Sequence, residues 1–121
     1  MAKNLELSYL IDFYGDVLTA KQRDVLEQYY NDDLSLAEIA ENFGITRQGV
    51  RDAIKRGEAI LLDLEDKVGF AGRYRDMQRG LNEMEGLVKD LQFRSRAGTV
   101  TSDEVWDKSA RMLRIIDTLS E

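Results

Sequence analysis

A chain of 121 residues, 43% of them apolar, has room for one domain or for one small domain with an appended helical arm, and no run approaches the ~20 apolar residues of a membrane span. It has no His and no Cys, which excludes Ser-His and Cys-His nucleophiles, imidazole acid/base chemistry, a disulfide framework and the usual zinc sites. The net charge of −6 is uneven: 8 basic against 14 acidic residues before Phe70, and 9 against 9 from Phe70 onward. With no proline and abundant Leu, Glu, Ala, Arg and Lys, few residues would break a helix, and an all-α chain is expected. No basic-then-apolar leader opens the sequence, so a cytoplasmic location is expected. Asp32-Asp33 and Asp63-Glu65-Asp66 are the acids a divalent ion would choose, but adjacent acids on a helical surface are ordinarily solvated. The expectation is therefore no metal, no cofactor and no catalytic residue.

The first helix is predicted from about Asn4 to Tyr14, with Leu7, Leu10, Ile11 and Tyr14 as its inward stripe and Gly15 ending or bending it. Thr19-Ala20-Lys21-Gln22 has capping-box spacing, in which the Thr hydroxyl and the Gln three residues later serve each other's exposed amides. A second helix then runs to about Tyr30, burying Val25, Leu26, Tyr29 and Tyr30. Asn31-Asp32-Asp33 breaks it, and a second such box, Ser35-Leu36-Ala37-Glu38, opens the third helix.

The stretch Ser35 to Arg56 carries the functional signal. Leu36, Ile39, Ala40 and Phe43 recur at helical spacing, Gly44 interrupts where a turn needs positive φ, Ile45 follows as an apolar plug, and Thr46 can cap a new helix. This is the pattern of a helix-turn-helix, and the helix after Thr46 is its recognition helix. That helix extends to about Lys67, with Val50, Ala53, Ile54, Ala59, Ile60, Leu61 and Leu64 for packing. Arg47, Gln48, Arg51 and Lys55 are the polar side chains of its exposed first turns, and Arg56 follows; these five are the candidate DNA-binding residues. Phosphate contacts supply most non-specific affinity, so an acidic head needs such a local concentration of cations to hold DNA. Glu38, Glu41 and Asp52 are near enough in sequence to pair with them instead. Gly49 and Gly57 weaken the helix by about 1 kcal/mol each and read as sites of close helix packing, or for Gly49 as a close approach to a DNA backbone.

Gly69 and Gly72 bracket Phe70 and predict a kink or short turn dividing a head, residues 1–68, from a second unit, residues 69–121. Tyr74, Met77, Leu81, Met84, Val88 and Leu91 then form a heptad seam that needs a partner helix. A polar loop from Ser95 to Ser102 contains Gly98. A third capping box, Thr101-Ser102-Asp103-Glu104, starts a last helix whose inner side reads Val105, Trp106, Met112, Leu113, Ile116 and Leu119. The simplest arrangement is an antiparallel helical hairpin; two helices alone bury too little to be stable, so the hairpin must pack on the head or on a second copy of itself, and a homodimer is the favoured expectation.

The residues Tyr14-Gly15, Leu18-Thr19, Lys21-Gln22, Tyr29-Tyr30, Asp32 to Leu36, Glu38 to Glu41, Arg47-Gln48 and Ile54 to Arg56 resemble the YlxM family of bacterial helix-turn-helix proteins, over roughly residues 7 to 70. Thr46 to Arg51 also resembles the recognition helix of region 4 in primary sigma factors, which reads promoter −35 elements. The resemblance implies an all-helical protein with a region-4-like head that reads DNA through Arg47, Gln48, Arg51 and Lys55. It also implies a link to the signal recognition particle pathway, because the family's genes commonly neighbour those of the particle's GTPase and its receptor. Two functions follow as expectations: a DNA-binding regulator, or an accessory protein that binds the particle's RNA or GTPase, for which an acidic head is better suited.

Overall fold

A computed structural model describes residues 3–121. Among them the regular structure is helical throughout: α1 Glu6–Tyr14, α2 Ala20–Tyr30, α3 Leu36–Phe43, α4 Arg47–Val68, α5 Phe70–Arg96 and α6 Ser102–Leu119, with a 3-10 turn at Gly15–Val17. The chain divides into two compact units, Met1–Ala71 and Gly72–Glu121.

Local capping chemistry sets the helix boundaries. All three capping boxes form: Thr19 with Gln22, Ser35 with Glu38, and Thr101 with Glu104 exchange their side-chain and backbone bonds at 3.0 to 3.2 Å. At the start of α1 the Asn4 side chain accepts from the Glu6 amide at 3.0 Å. Between α2 and α3, Asp33 takes a positive φ of 55°, a conformation its short polar side chain tolerates, and its carboxylate accepts a 2.6 Å bond from Lys3.

The first unit is built around α4. Its Val50, Ile54 and Leu61 are fully buried against Leu7, Leu10 and Ile11 of α1, Val25 and Leu26 of α2, and Ile39 of α3. Each such side chain contributes about 1.5–3 kcal/mol by leaving water. The sequence placed Ala59 and Ile60 in this packing, and the structure corrects that: both are exposed, because they lie off the stripe set by Val50, Ile54 and Leu61. Gly57 faces α2 so closely that a Cβ there would stand 2.7 Å from Leu26 Cδ1.

Gly69, at φ 67°, ends α4, and α5 begins at once with Phe70 and runs through Gly72, so the expected turn is confined to Gly69. The head claims the first residues of α5 because Tyr14 sits beneath them. Its hydroxyl donates to Glu65 Oε1 at 2.6 Å and accepts from the amides of Phe70 and Ala71 at 3.1 and 3.2 Å. Burial, reinforced by the Glu65 carboxylate, pushes the Tyr14 phenol above its ordinary pKa. Tyr9 donates to the Ala71 carbonyl at 3.0 Å, and Ala71 itself is fully buried. The unit boundary therefore falls after Ala71 instead of at Val68.

In the second unit, Arg94 pairs with Glu104, Asp90 with Lys108 and Glu83 with Arg111, the last at 2.7 Å, and Gly80 lies against Ile115 and Leu119. Descending positions on α5 thus meet ascending positions on α6, and the two helices run antiparallel. Ile115 is the buried apolar side chain of α6, with Met112 and Leu119 half-buried. The inner side predicted for α6 is corrected here: Val105, Trp106, Leu113 and Ile116 are exposed, since Ile115 and the ion-paired Lys108 and Arg111 are what meet α5. Most of the α5 seam is likewise uncovered, Met77, Leu81 and Val88 being 38 to 45% exposed.

Candidate nucleic-acid interface

The helix-turn-helix is made by α3, a tight turn and α4. Gly44 takes φ 66°, the Ile45 amide reaches back to the Ala40 carbonyl at 3.1 Å and the Gly44 amide to Glu41 at 3.3 Å, so the free carbonyls at the end of α3 are satisfied. Ile45, half-buried, packs on the core and fixes the angle at which the chain leaves the turn. Thr46 is extended, and its hydroxyl accepts from the Gly49 amide at 3.0 Å, capping α4. With Val50 and Ile54 locked inward, the opposite arc of α4 is turned to solvent.

All five predicted residues are exposed on α4. Arg47, Gln48 and Arg51 border one depression, walled on its other side by Ser35, Leu36 and Ala37 at the start of α3. Arg56 lies round the helix in a second depression, with Thr19, Lys21 and Gln22 from the start of α2 and with Gly49 and Ala53 between them. The structure thus groups three of the five, leaves Lys55 exposed outside that depression, and sets Arg56 in another with Lys21. Lys21 was absent from the sequence prediction, where it counted only as part of a capping box; its one local signal is an exposed cation in the first turn of a helix leading into the motif.

The pairing of these cations with nearby acids does not occur. Among the described residues Arg47, Arg51 and Lys55 have no ion pair; Asp52 accepts instead from Gln48 at 3.0 Å, and its carbonyl accepts from Arg56 at 3.4 Å. Like charges four residues apart on a helix repel by a few tenths of a kcal/mol per pair, so an unpaired run of three is a cost in the free protein that a polyanion would relieve. At Gly49 the nearest atoms an added Cβ would meet are local, Thr46 Oγ1 at 3.3 Å and Ile45 at 3.7 Å, with no contact as close as the one Gly57 makes with α2. Of the acids Asp32, Asp33, Asp63, Glu65 and Asp66, three are engaged by other groups: Asp33 by Lys3, Asp63 by Lys67 at 3.0 Å and Glu65 by Tyr14. Among the described residues no three acids converge as a metal site, and no helix is long and apolar enough to cross a membrane.

Comparison with known proteins bears on this surface. The family model UPF0122, described as "Putative helix-turn-helix protein, YlxM / p13 like", matches residues 1–98. The match runs past Phe70, where the resemblance read from the sequence stopped, and takes in α5. A UPF0122 protein of Bacillus thuringiensis (strain Al Hakam) is 43% identical over 90 residues, 74% of this chain and 82% of the relative. One from Bacillus mycoides (strain KBAB4) has the same identity and coverage. Another, from Bacillus anthracis (strain A0248), is 42% identical over 90 residues, again 74% of this chain and 82% of the relative.

Proposed function

Since the chain belongs to the UPF0122 family of YlxM / p13-like helix-turn-helix proteins, we propose that it is a non-enzymatic, cytoplasmic, DNA-binding regulator that acts as a homodimer. The observation that carries this reading is the exposed, unpaired row Arg47, Arg51 and Lys55 on the first turns of α4. Arg47, Gln48 and Arg51 contact base edges or the phosphates beside them, and Lys55 and Arg56 take phosphates. Gln48 must exchange its bond to Asp52 for a base, a step that favours sites offering it a better partner. A dimer presents two such heads to a two-part site.

The test is duplex binding measured as a function of salt. Affinity should fall steeply with ionic strength, and an Arg47→Ala, Arg51→Ala double variant should lower the slope of log K against log salt by about 2 while its helicity is unchanged. No duplex binding at low salt, or an unchanged slope in the double variant, sinks the proposal.

A second reading is favoured by the charge of the head, 14 acidic residues against 8 basic. An accessory protein of the signal recognition particle would use the same helix-turn-helix surface, or the α5–α6 unit, to bind the particle's RNA or GTPase, and acidity assists approach to a basic protein. Particle RNA in parallel with the duplex, followed by a pull-down with the GTPase, separates the two readings.

A further inference from the structure

The second unit leaves one side of its two helices uncovered. Taking 3.6 residues per turn, Met77, Leu81 and Val88 lie about 60–100° round α5 from Gly80, which faces Ile115 and Leu119 of α6. On α6, Val105 and Ile116 lie about 80–100° round from the buried Ile115, in the same rotational sense along the chain. Because the helices are antiparallel, equal rotations bring both stripes to the same face. Leu113 and Trp106, 62 and 74% exposed, carry the apolar surface onward round α6.

We propose that this face is the docking surface for a second copy of the chain, packed hairpin on hairpin to close a four-helix bundle. The proposal deepens the dimer of the preceding section and rests on that reading only for the dimer's use. Three observations select the occupant. The apolar side chains left uncovered on this face, Met77, Leu81, Val88, Val105 and Ile116, are each 38 to 45% exposed, and a continuous apolar face of this kind on a small chain marks an interaction surface. Unit Gly72–Glu121 buries Ile115 and little other apolar side chain, too small a core for two helices alone, and two more helices on this face supply what is missing. The unit is also charge-balanced at 9 against 9, whereas the head carries the net −6. A copy of the same hairpin approaches without repulsion, and a basic protein or an anionic membrane finds no net charge there to attract it. A two-fold axis through the face makes the contact self-complementary and closed.

The experiment is the mass of the full chain in solution by light scattering from about 1 to 100 µM, the range in which a standard-size interface of even modest quality is formed. The expected result is twice 13.9 kDa, with Leu81→Glu and Ile116→Glu each raising the dimer dissociation constant at least about 100-fold, because each buries a charge in the interface. Gly86→Glu, about 140° round α5 from Leu81 at a position where nothing stands within 4 Å of an added Cβ, should leave the mass unchanged. If either Glu variant loses helicity, the wild-type chain still reports: the melting temperature of a dimer rises with concentration. A monomeric mass with a concentration-independent melt overturns the proposal. So does a dimer that survives the Leu81→Glu, Ile116→Glu double variant, or one that Gly86→Glu dissociates equally. Duplex binding in the same samples keeps the failures apart: a dimer that ignores DNA removes the regulator and keeps this interface, and a monomer with salt-sensitive DNA binding does the reverse.

Discussion

Replacing Gly57 with Ala sets two known effects against each other at one atom. In an exposed helix interior the change stabilises by about 1 kcal/mol through helix propensity. Here the added Cβ stands 2.7 Å from Leu26 Cδ1 and 3.2 Å from Leu26 Cγ, where carbon pairs rest at about 3.5–4.0 Å. Leu26 is fully enclosed and has no solvent to rotate into, so α2 and α4 must separate or Leu26 must leave its rotamer, at about 1–3 kcal/mol. Overpacking wins, and Gly57→Ala should destabilise the head by about 1 kcal/mol net, read as a shift in urea midpoint by circular dichroism without change in slope. Gly86→Ala is the reference, because nothing lies within 4 Å of a Cβ there; it should gain close to the propensity value of about 1 kcal/mol. Leu26→Ala alone should cost about 2–5 kcal/mol as a core truncation. Combined with Gly57→Ala it should cost less than the sum, since the new methyl enters the space Leu26 vacates, giving a coupling of about 1–2 kcal/mol. A Gly57→Ala variant more stable than the parent, with no coupling to Leu26, would refute the close approach of α4 to α2 on which the placement of the recognition helix depends.

Thr46→Ala removes the cap on the Gly49 amide and should cost about 1 kcal/mol of head stability by urea unfolding; a loss under a few tenths would mean that water replaces the hydroxyl without penalty. The α5–α6 unit should loosen in acid. Arg111 holds Glu83, and Lys108 holds Asp90, below the ordinary carboxylate range, and Glu104 is lowered first by the Thr101 amide and then by Arg94. Carboxylates lowered by folding stabilise fully above their unfolded pKa of about 4 and lose that contribution as pH falls through the folded values. The melt of this unit should therefore shift down between about pH 5 and pH 3, and an unchanged melt over that interval would show that the three pairs contribute nothing.

The elements legible in the sequence are those fixed within one or two helical turns. The boxes at Thr19, Ser35 and Thr101, the left-handed Gly44 and the Thr46 cap depend on bonds across three to six residues, and spacing alone specifies them. The same holds for the exposure of Arg47, Gln48, Arg51, Lys55 and Arg56, which follows once Val50 and Ile54 define the buried stripe. What the sequence left open is settled by distances between helices, which no local pattern encodes. Gly49 and Gly57 look alike in sequence, and only the approach of α2 to within contact of Gly57 makes one of them a packing glycine. Lys21 joins Arg56 because α2 is laid beside α4, 35 residues away along the chain. On α6 the apolar residues cover more than one face, so periodicity could not choose Ile115 as the side that meets α5; the ion pairs at Glu104, Lys108 and Arg111 choose it. The head likewise takes Phe70 and Ala71 because the Tyr14 hydroxyl, 56 residues earlier, is satisfied by their amides. Local hydrogen bonding determined where the helices begin and end, and long-range packing decided which of their faces remain to meet a partner.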